Sequence, residues 1–330
     1  MQPIDAIEVN RILKDTSAPP VTAPLVSIVM NAAAGHHTPS DVPLSTLITQ
    51  AFEKQGCDVR LYIAEHPAQL GDLTQQALAQ YRQRHGVIVA AGGDGTINTV
   101  AQGLMHQAVP LGIIPLGTFN YVARALQIPL EWPAAVQTIG QGVARSIHVG
   151  QVNQYIYLNN ASIGLYPHLI EQREADKSRF GRRKIVAMAS GFAVLMRQHQ
   201  KMRLRVIIDG HAQPIETPMM FFGNNQLQLE DMHLKLADCA ASGRLAAVAV
   251  EPVSRLQMLS LIARMQLGTF EQAPEVRCFC AERVCIETKK PQAIKLAIDG
   301  EIVRAQSPLR FRVTRDALLV MVPNHASASV

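Results

Sequence analysis

The rhythm of apolar and polar positions changes once along this chain. From Leu25 onward the runs LVSIVM, DVRLYI and VIVAA are short and apolar, the length of strands, and the stretches between them carry a helical period. In the first of those stretches Leu44, Leu47, Ile48 and Ala51 share one face, and residues 68–84 predict a longer, more polar helix. Strands that alternate with helices pair in parallel through crossovers, so the expected class is doubly wound α/β. After about residue 145 the runs become β-rich and are separated by turn residues: YIYLN, RLRVIID, PMMFFG, LAAVAV, VRCFCA, VCIET, IKLAID and LRFRV. They predict a second, β-sandwich-like domain. One helix is expected to interrupt it at 182–198, where Ile185, Met188, Ala189, Phe192, Leu195 and Met196 recur every three or four residues.

The expected layout has four parts. Residues 1–24 are an amphipathic extension and a linker, TSAPPVTAP, whose prolines break regular structure. Residues 25–145 form the α/β domain, residues 146–323 the β-rich domain, whose last strands could pack back on the first, and residues 324–330 a tail.

Composition narrows the partners. At 330 residues and 48% hydrophobic, the chain can fill two cores. A net charge of +5 with only 17% charged residues suits phosphates or an anionic membrane surface. With 5% aromatics there are few platforms for stacking bases, which argues against nucleic acid. Cys57, Cys239, Cys278, Cys280 and Cys285 are odd in number and scattered, so a secreted disulfide framework is not expected. Cys278, Cys280 and Cys285 lie in and beside strands; a metal cluster there is the sharper reading, buried small hydrophobes the plainer and preferred one. The start, MQPIDAIEVNRILKD, has no signal-peptide pattern, and Ile185–Met196 is too short to span a bilayer. A cytoplasmic protein is expected, with peripheral membrane contact at most.

The chemistry concentrates where strands meet helices. VIVAAGGDGTINTVAQGL sets Gly92, Gly93, Asp94, Gly95 and Thr96 between a strand and a helix striped by Ile97, Val100, Ala101 and Leu104. Glycines let amides approach an oxyanion, and a helix start adds unsatisfied N–H groups and a positive dipole end, so a phosphate can be cradled there. The bland alternative is an ordinary tight turn. Thr96 could cap the helix or donate to phosphate, and Asp94 could help hold magnesium that arrives with a nucleotide. A second loop follows in LGIIPLGTFNYVARAL, where Thr118 and Asn120 offer hydrogen bonds and Arg124 faces phosphate or solvent. A third small-residue loop, Asn31 to Gly35, follows the first strand; His36 and His37 beside it read as solvated. Far downstream, IKLAIDGEIVRA is a hairpin whose Asp299 and Gly300 make the turn, and RLRVIIDGH repeats that turn at Asp209 and Gly210 without a following Glu.

GGDGT followed by PLGT-x-N and an Ala-Arg pair resembles the diacylglycerol kinase catalytic family, the bacterial lipid kinases related to the sphingosine kinases. The likeness runs from about Leu25 to Pro323 and includes NNASIGLYPHLIEQRE, FGRRK, FFGNNQ, SGRL, IDGE and SPLRFRV. The resemblance implies a two-domain kinase with ATP and Mg2+ in the cleft between its domains and a lipid hydroxyl as acceptor. It implies that Asn31 to Gly35, then Gly93, Asp94, Gly95, Thr96, Ile97, Asn98, Thr99 and Thr118 contact ATP, that Asn120, Tyr121 and Arg124 face the acceptor, and that Glu301 takes the acceptor's proton. The sequence departs from that pattern at three places. Tyr121 stands where an acid is common, Ala241, Ser242 and Gly243 stand where Asp-Asp-Gly serves a structural magnesium, and Tyr62, Ile63 and Ala64 lack a nucleotide-facing Thr.

A lipid kinase must visit a membrane, and Lys177, Arg179, Arg182, Arg183 and Lys184, ahead of the striped helix, are the expected contact with the inner face. Homodimerisation is left open. An NAD kinase-like enzyme shares the GGDGT loop and the β-rich domain and is the nearest rival; a non-catalytic nucleotide or lipid sensor is the other. The acceptor stays open among diacylglycerol, a monoacylglycerol, phosphatidylglycerol and a sphingoid base.

Overall fold

The computed structural model describes residues 24–32, 42–165, 167, 201–288 and 292–324. The predicted helix at 182–198, the basic group at 177–184, Gly35, His36 and His37, most of the N-terminal extension and most of the tail lie outside the described residues. The chain divides into two compact units, one made of residues 1–148 and 315–330, the other of 149–314.

In the first unit strands and helices alternate: β1 (Leu25–Asn31), α1 (Leu44–Glu53), β2 (Asp58–Ala64), α2 (Leu70–Gln83), β3 (Gly86–Gly92), α3 (Asp94–Leu104), β4 (Pro110–Pro115), α4 (Tyr121–Ala125) and α5 (Trp132–Gln141). The strands lie in the order β2-β1-β3-β4, all parallel. Strands β1, β3 and β4 are buried over nearly their whole length, as expected of a parallel sheet covered on both faces. Ile28, Val29, Ile88, Val89, Ile113 and Ile114 are fully enclosed. Helix α3 closes on this sheet with the stripe that the sequence sets out, since Ile97, Val100, Ala101 and Leu104 are all buried. Its Gly103 lets α2 approach closely: a Cβ there would lie 2.6 Å from Thr74 Cγ2. The end of the chain's last strand adds to this sheet beside β4 in parallel, Leu319 opposite Pro110 and Val320 opposite Leu111.

The second unit is a β-sandwich. It begins within β5 (Val143–Val152) and contains β6 (Tyr155–Tyr157), β7 (Asn160–Gly164), β8 (Met202–Ile208), β9 (His211–Thr217), β10 (Met219–Gly223), β11 (Leu245–Val250), β12 (Val276–Ala281), β13 (Arg283–Glu287), β14 (Ala293–Ile298), β15 (Glu301–Gln306) and the start of β16 (Leu309–Val322). One antiparallel sheet has the order β12-β11-β10-β7-β14-β15; facing it are β8, β9, β13 and the start of β16. Between them Ile163, Phe222, Ala247 and Leu296 meet Val206, Val284, Ile286 and Phe311 in one core. The Phe222 and Phe311 rings stack with centroids 3.8 Å apart.

The apolar runs PMMFFG and LAAVAV are continuous rather than alternating because their other face is covered too. Phe221, Ala246, Val248 and Val250 pack against three helices, α6 (Gln226–Asp231), α7 (Ala237–Ala241) and α8 (Arg255–Gln266). The sequence reading expected a single helix in this domain, and these three correct it. The signal for α8 was present: Ser254 accepts from the Gln257 N–H, and the Gln257 side chain accepts from the Ser254 N–H, a capping box readable as S-x-x-Q. A second correction concerns the cysteines. Cys280 on β12 forms a disulfide with Cys239 on α7, Cys278 is exposed and Cys285 is partly exposed, so Cys278, Cys280 and Cys285 are not a set of buried small hydrophobes. Among the described residues no helix is long and apolar enough to cross a membrane.

Candidate active site

Strand order 2-1-3-4 places the connections of β2 and β3 on opposite sides of β1, and a doubly wound sheet binds ligands at the carboxyl ends of its strands beside such a switch point. Asn31, Gly92 and Pro115 end three neighbouring strands there, with Gly92 directly opposite Pro115. The structure thus brings together the sequence-predicted Asn31, Gly92 to Thr96, Thr118 and Asn120 along one edge of the first unit.

Gly92 completes β3, Gly93 is the residue before the helix, and α3 starts at Asp94. The two glycine loops are built into each other. The Leu116 N–H donates to the Gly92 carbonyl at 2.9 Å, and a Cβ on Gly117 would lie 2.7 Å from Gly93 Cα. The glycine at 117 is what allows that approach. Asp94 ties the loops from the other side, its Oδ1 accepting from the Val122 N–H at 3.4 Å. The first N–H groups of α3 have no partner within the helix and, with its dipole, favour an anion at this edge.

Several of the expected ligand residues have structural partners within the loops. Thr96 is buried and fills the space beside Gly92, where a Cβ would come 2.5 Å from Thr96 Oγ1. It does not cap the helix. Ile97 is fully buried and its N–H donates to the Gly93 carbonyl, so it supports the loop from beneath. Thr99 Oγ1 donates to the Gly95 carbonyl at 3.0 Å, and Asn98 is half-buried beside it. Asn120, at left-handed φ 51°, is buried, and its side chain closes its own loop: Oδ1 accepts from the Gly117 N–H and Nδ2 donates to the Gly117 carbonyl, both at 3.0 Å. Thr118 and Phe119 project into solvent from that closed loop. The Phe119 ring stacks on Tyr121 at 5.9 Å, and the Arg124 guanidinium lies 5.5 Å from the Tyr121 ring on its helix. Arg124 therefore rests on an aromatic ring, a placement that neither reading of the sequence foresaw.

In the second unit Glu301 opens β15 directly after a two-residue turn at Asp299 (φ 46°) and Gly300 (φ 91°). The turn is a hairpin turn as predicted, yet Asp299 does more than turn the chain. Its Oδ2 accepts from the Leu158 N–H at 2.7 Å and its Oδ1 from the Asn159 and Asn160 N–H groups at 2.9 Å. An asparagine network backs this anchor: Asn225 Nδ2 donates to Asn159 Oδ1, Asn224 Nδ2 to the Leu158 carbonyl, and Asn160 Nδ2 to Gln228 Oε1. In the sequence these asparagines stand within NNASIG and FFGNNQ, and their doubling at a strand start and a strand end is the available signal. Glu301 itself reaches solvent, but the surrounding protein still desolvates its carboxyl and holds its pKa above the ordinary glutamate value. Beneath the turn, burial first and the Asp299 charge second push the Tyr157 phenol far above its usual range.

At Ala241, Ser242 and Gly243 the chain leaves α7, and Ser242 Oγ donates to the Cys239 carbonyl at 2.8 Å. Among the described residues no three of His, Cys, Asp and Glu gather as a metal cluster.

A doubly wound domain with a glycine-lined strand edge, followed by a β-sandwich with a held carboxylate, defines the class: a two-domain kinase of the diacylglycerol kinase and NAD kinase-like fold. The diacylglycerol kinase catalytic domain matches residues 26–152, and the YegS C-terminal NAD kinase beta sandwich-like domain matches residues 169–322. The chain thus carries the domain pair found in diacylglycerol kinase-type lipid kinases. It is 27% identical over 280 residues to a diacylglycerol kinase of Staphylococcus aureus, covering 83% of this chain and 85% of that one. It is also 26% identical over 244 residues to an uncharacterised protein of Synechocystis, covering 72% of this chain and only 54% of that longer relative. The crystal structure of a diacylglycerol kinase from Bacillus anthracis shares the fold, with a TM-score of 0.64 at 19% identity over 91% of this chain and 97% of that one.

Proposed function

We propose that this chain transfers the γ-phosphoryl group of ATP to the hydroxyl of a diacylglycerol-like glycerolipid or a sphingoid base at a membrane surface. The observation that carries the reading is the pair of interlocked glycine loops, Gly93 against Gly117, at the start of α3. A side chain at Gly117 would run into Gly93 Cα and Asn120 Oδ1 and push apart the two loops whose backbone amides are assigned to phosphate. The donor set also suits Mg2+: Asp94 is one half-buried carboxylate at that rim, so a cation there would take its other ligands from the nucleotide phosphates and water. When bound, Mg2+ supplies charge neutralisation for the phosphates.

Glu301 is the general base of this reading. Its carboxylate takes the acceptor hydroxyl's proton as that oxygen attacks the γ-phosphorus, and the bond to ADP breaks with its electron pair going to ADP. Desolvation raises the basicity of Glu301, and the Asp299 anchor fixes where the strand that bears it begins. Tyr121, stacked with Phe119 and topped by Arg124, offers an aromatic wall in place of the acid common in relatives, and is assigned to the acceptor side.

The test is transfer of radiolabelled phosphate from Mg-ATP to diacylglycerol, monoacylglycerol, phosphatidylglycerol and sphingosine in mixed micelles, with NAD as a further acceptor. The wild type is expected to label one lipid, with Asp94→Ala and Glu301→Ala folded but inactive. Labelling of NAD alone would move the reading to the NAD kinase branch, and ATP binding without any labelled acceptor would leave a sensor.

A further inference from the structure

We infer that the outward face of α8 is a docking surface for an anionic lipid bilayer. The helix is apolar on both sides. Leu261 points into the core that covers the sandwich, while Leu256 is 79% exposed, Leu259 40% and Leu267, just past the helix end, 76%. With exposed Ala263 these positions fall at i, i+3, i+7 and i+11, one continuous stripe. An exposed apolar stripe marks a surface that another phase or partner covers.

Charge selects the occupant. From Pro252 to Phe270 the sequence holds Arg255 and Arg264 and no acid. Of the acids that border this segment, Glu251 is ion-paired with Arg277 at 2.7 Å, while Glu275 and Glu271, outside the helix, accept from the neutral Gln257 side chain at 3.1 Å and the Leu236 N–H at 3.4 Å. The ring of His233 lies against Gly268, at the helix's carboxyl end beside Leu267. An exposed leucine stripe on a segment whose own charges are all positive is the pattern of an interfacial helix, which buries its leucines among acyl chains while its cations meet anionic head groups. The inference rests on the lipid-kinase reading for its purpose but on α8 alone for its geometry.

The experiment is co-sedimentation of the full chain with phosphatidylcholine vesicles, with and without phosphatidylglycerol. It compares wild type, Leu256→Gln/Leu267→Gln and Arg264→Gln, with activity on a water-soluble short-chain diacylglycerol assayed alongside. The double variant should stay folded by circular dichroism and bind anionic vesicles at least about tenfold more weakly. Arg264→Gln should weaken binding less, by an amount that vanishes in high salt. Unchanged vesicle binding by the folded double variant overturns the surface, as does a wild-type dimer that this variant dissociates, which would make the occupant a second copy. If vesicles bind through α8 but no lipid is phosphorylated, the surface stands and the kinase reading fails. Activity on the short-chain lipid with unaltered vesicle binding gives the reverse.

Discussion

Two hairpins in the β-sandwich use one turn for different ends. β8 and β9 join through Asp209 (φ 47°) and Gly210 (φ 88°); β14 and β15 join through Asp299 (φ 46°) and Gly300 (φ 91°). In both, the aspartate also pins a neighbouring strand: Asp209 Oδ1 accepts from the Glu282 and Arg283 N–H groups at 2.9 and 2.8 Å. The first anchor lies in solvent, and exposed His211 follows it. The second holds three N–H groups with both oxygens, is backed by asparagines, and is followed by a carboxylate of raised pKa. An Asp-Gly turn is therefore a scaffold in both places. What separates a structural hairpin from a candidate catalytic one is the depth of the anchor and the residue that comes after it.

The comparison breaks most sharply at Glu301. Glu301→Gln should lower turnover about a hundredfold or more, the ordinary scale for losing a general base, while His211→Gln leaves it unchanged. Stability should move the other way. A carboxyl whose pKa is raised by folding contributes stability that is complete below its unfolded pKa and is lost as pH rises through the folded value, so at neutral pH the ionised group is unfavourable. The melting temperature of Glu301→Gln at pH 7 should equal or exceed that of the wild type. A variant that loses both activity and stability would mark Glu301 as a structural residue.

The anchors come next. Asp299→Ala leaves three N–H groups without their carboxylate partner, at about 1 kcal/mol or more each, so the loss should reach roughly 3 kcal/mol. Asp209→Ala exposes its two N–H groups to water and should cost about 1 kcal/mol or less. Urea unfolding of the pair measures the gap; equal losses would mean the two anchors are equivalent.

Much of this was legible in the sequence. The parallel strands, their glycine loops and the Asp-Gly turns are set by short-range rules: apolar run length, helical period and the need for positive φ. What stayed hidden depends on tertiary placement. Nothing local says that Thr96 backs Gly92, or that Asn120 spends its amide on Gly117. Cys239 and Cys280 are separated by 41 residues and meet only because β12 pairs with β11 beside α7. The Asp299 anchor links residues about 140 apart, a contact no pattern within the hairpin can announce. The leucines of α8 face both ways, which blurs the helical period in its sequence.

A pH profile sharpens the contrast further. The base must be ionised to work, and desolvation raises the pKa of Glu301, so the acid limb of kcat/KM should fall at a pH above that of an ordinary glutamate, roughly 4.3. Activity should decline as pH drops through that limb, and Glu301→Gln should abolish the limb along with most of the rate. A limb that survives the substitution would belong to another group.

The smallest effect isolates the turns themselves. A Cβ on Gly210 or Gly300 would meet nothing within 4 Å, so the need for glycine there is conformational, not steric. Gly210→Ala and Gly300→Ala should each cost roughly 1 kcal/mol, the strain of holding alanine at left-handed φ, and thermal melts should rank them equal. Their activities should differ, because a shifted turn at Gly300 displaces the first residue of β15, which is Glu301, whereas the same shift at Gly210 displaces only His211. Equal stability with unequal turnover would separate the mechanical role that the two turns share from the chemical role that only one of them carries.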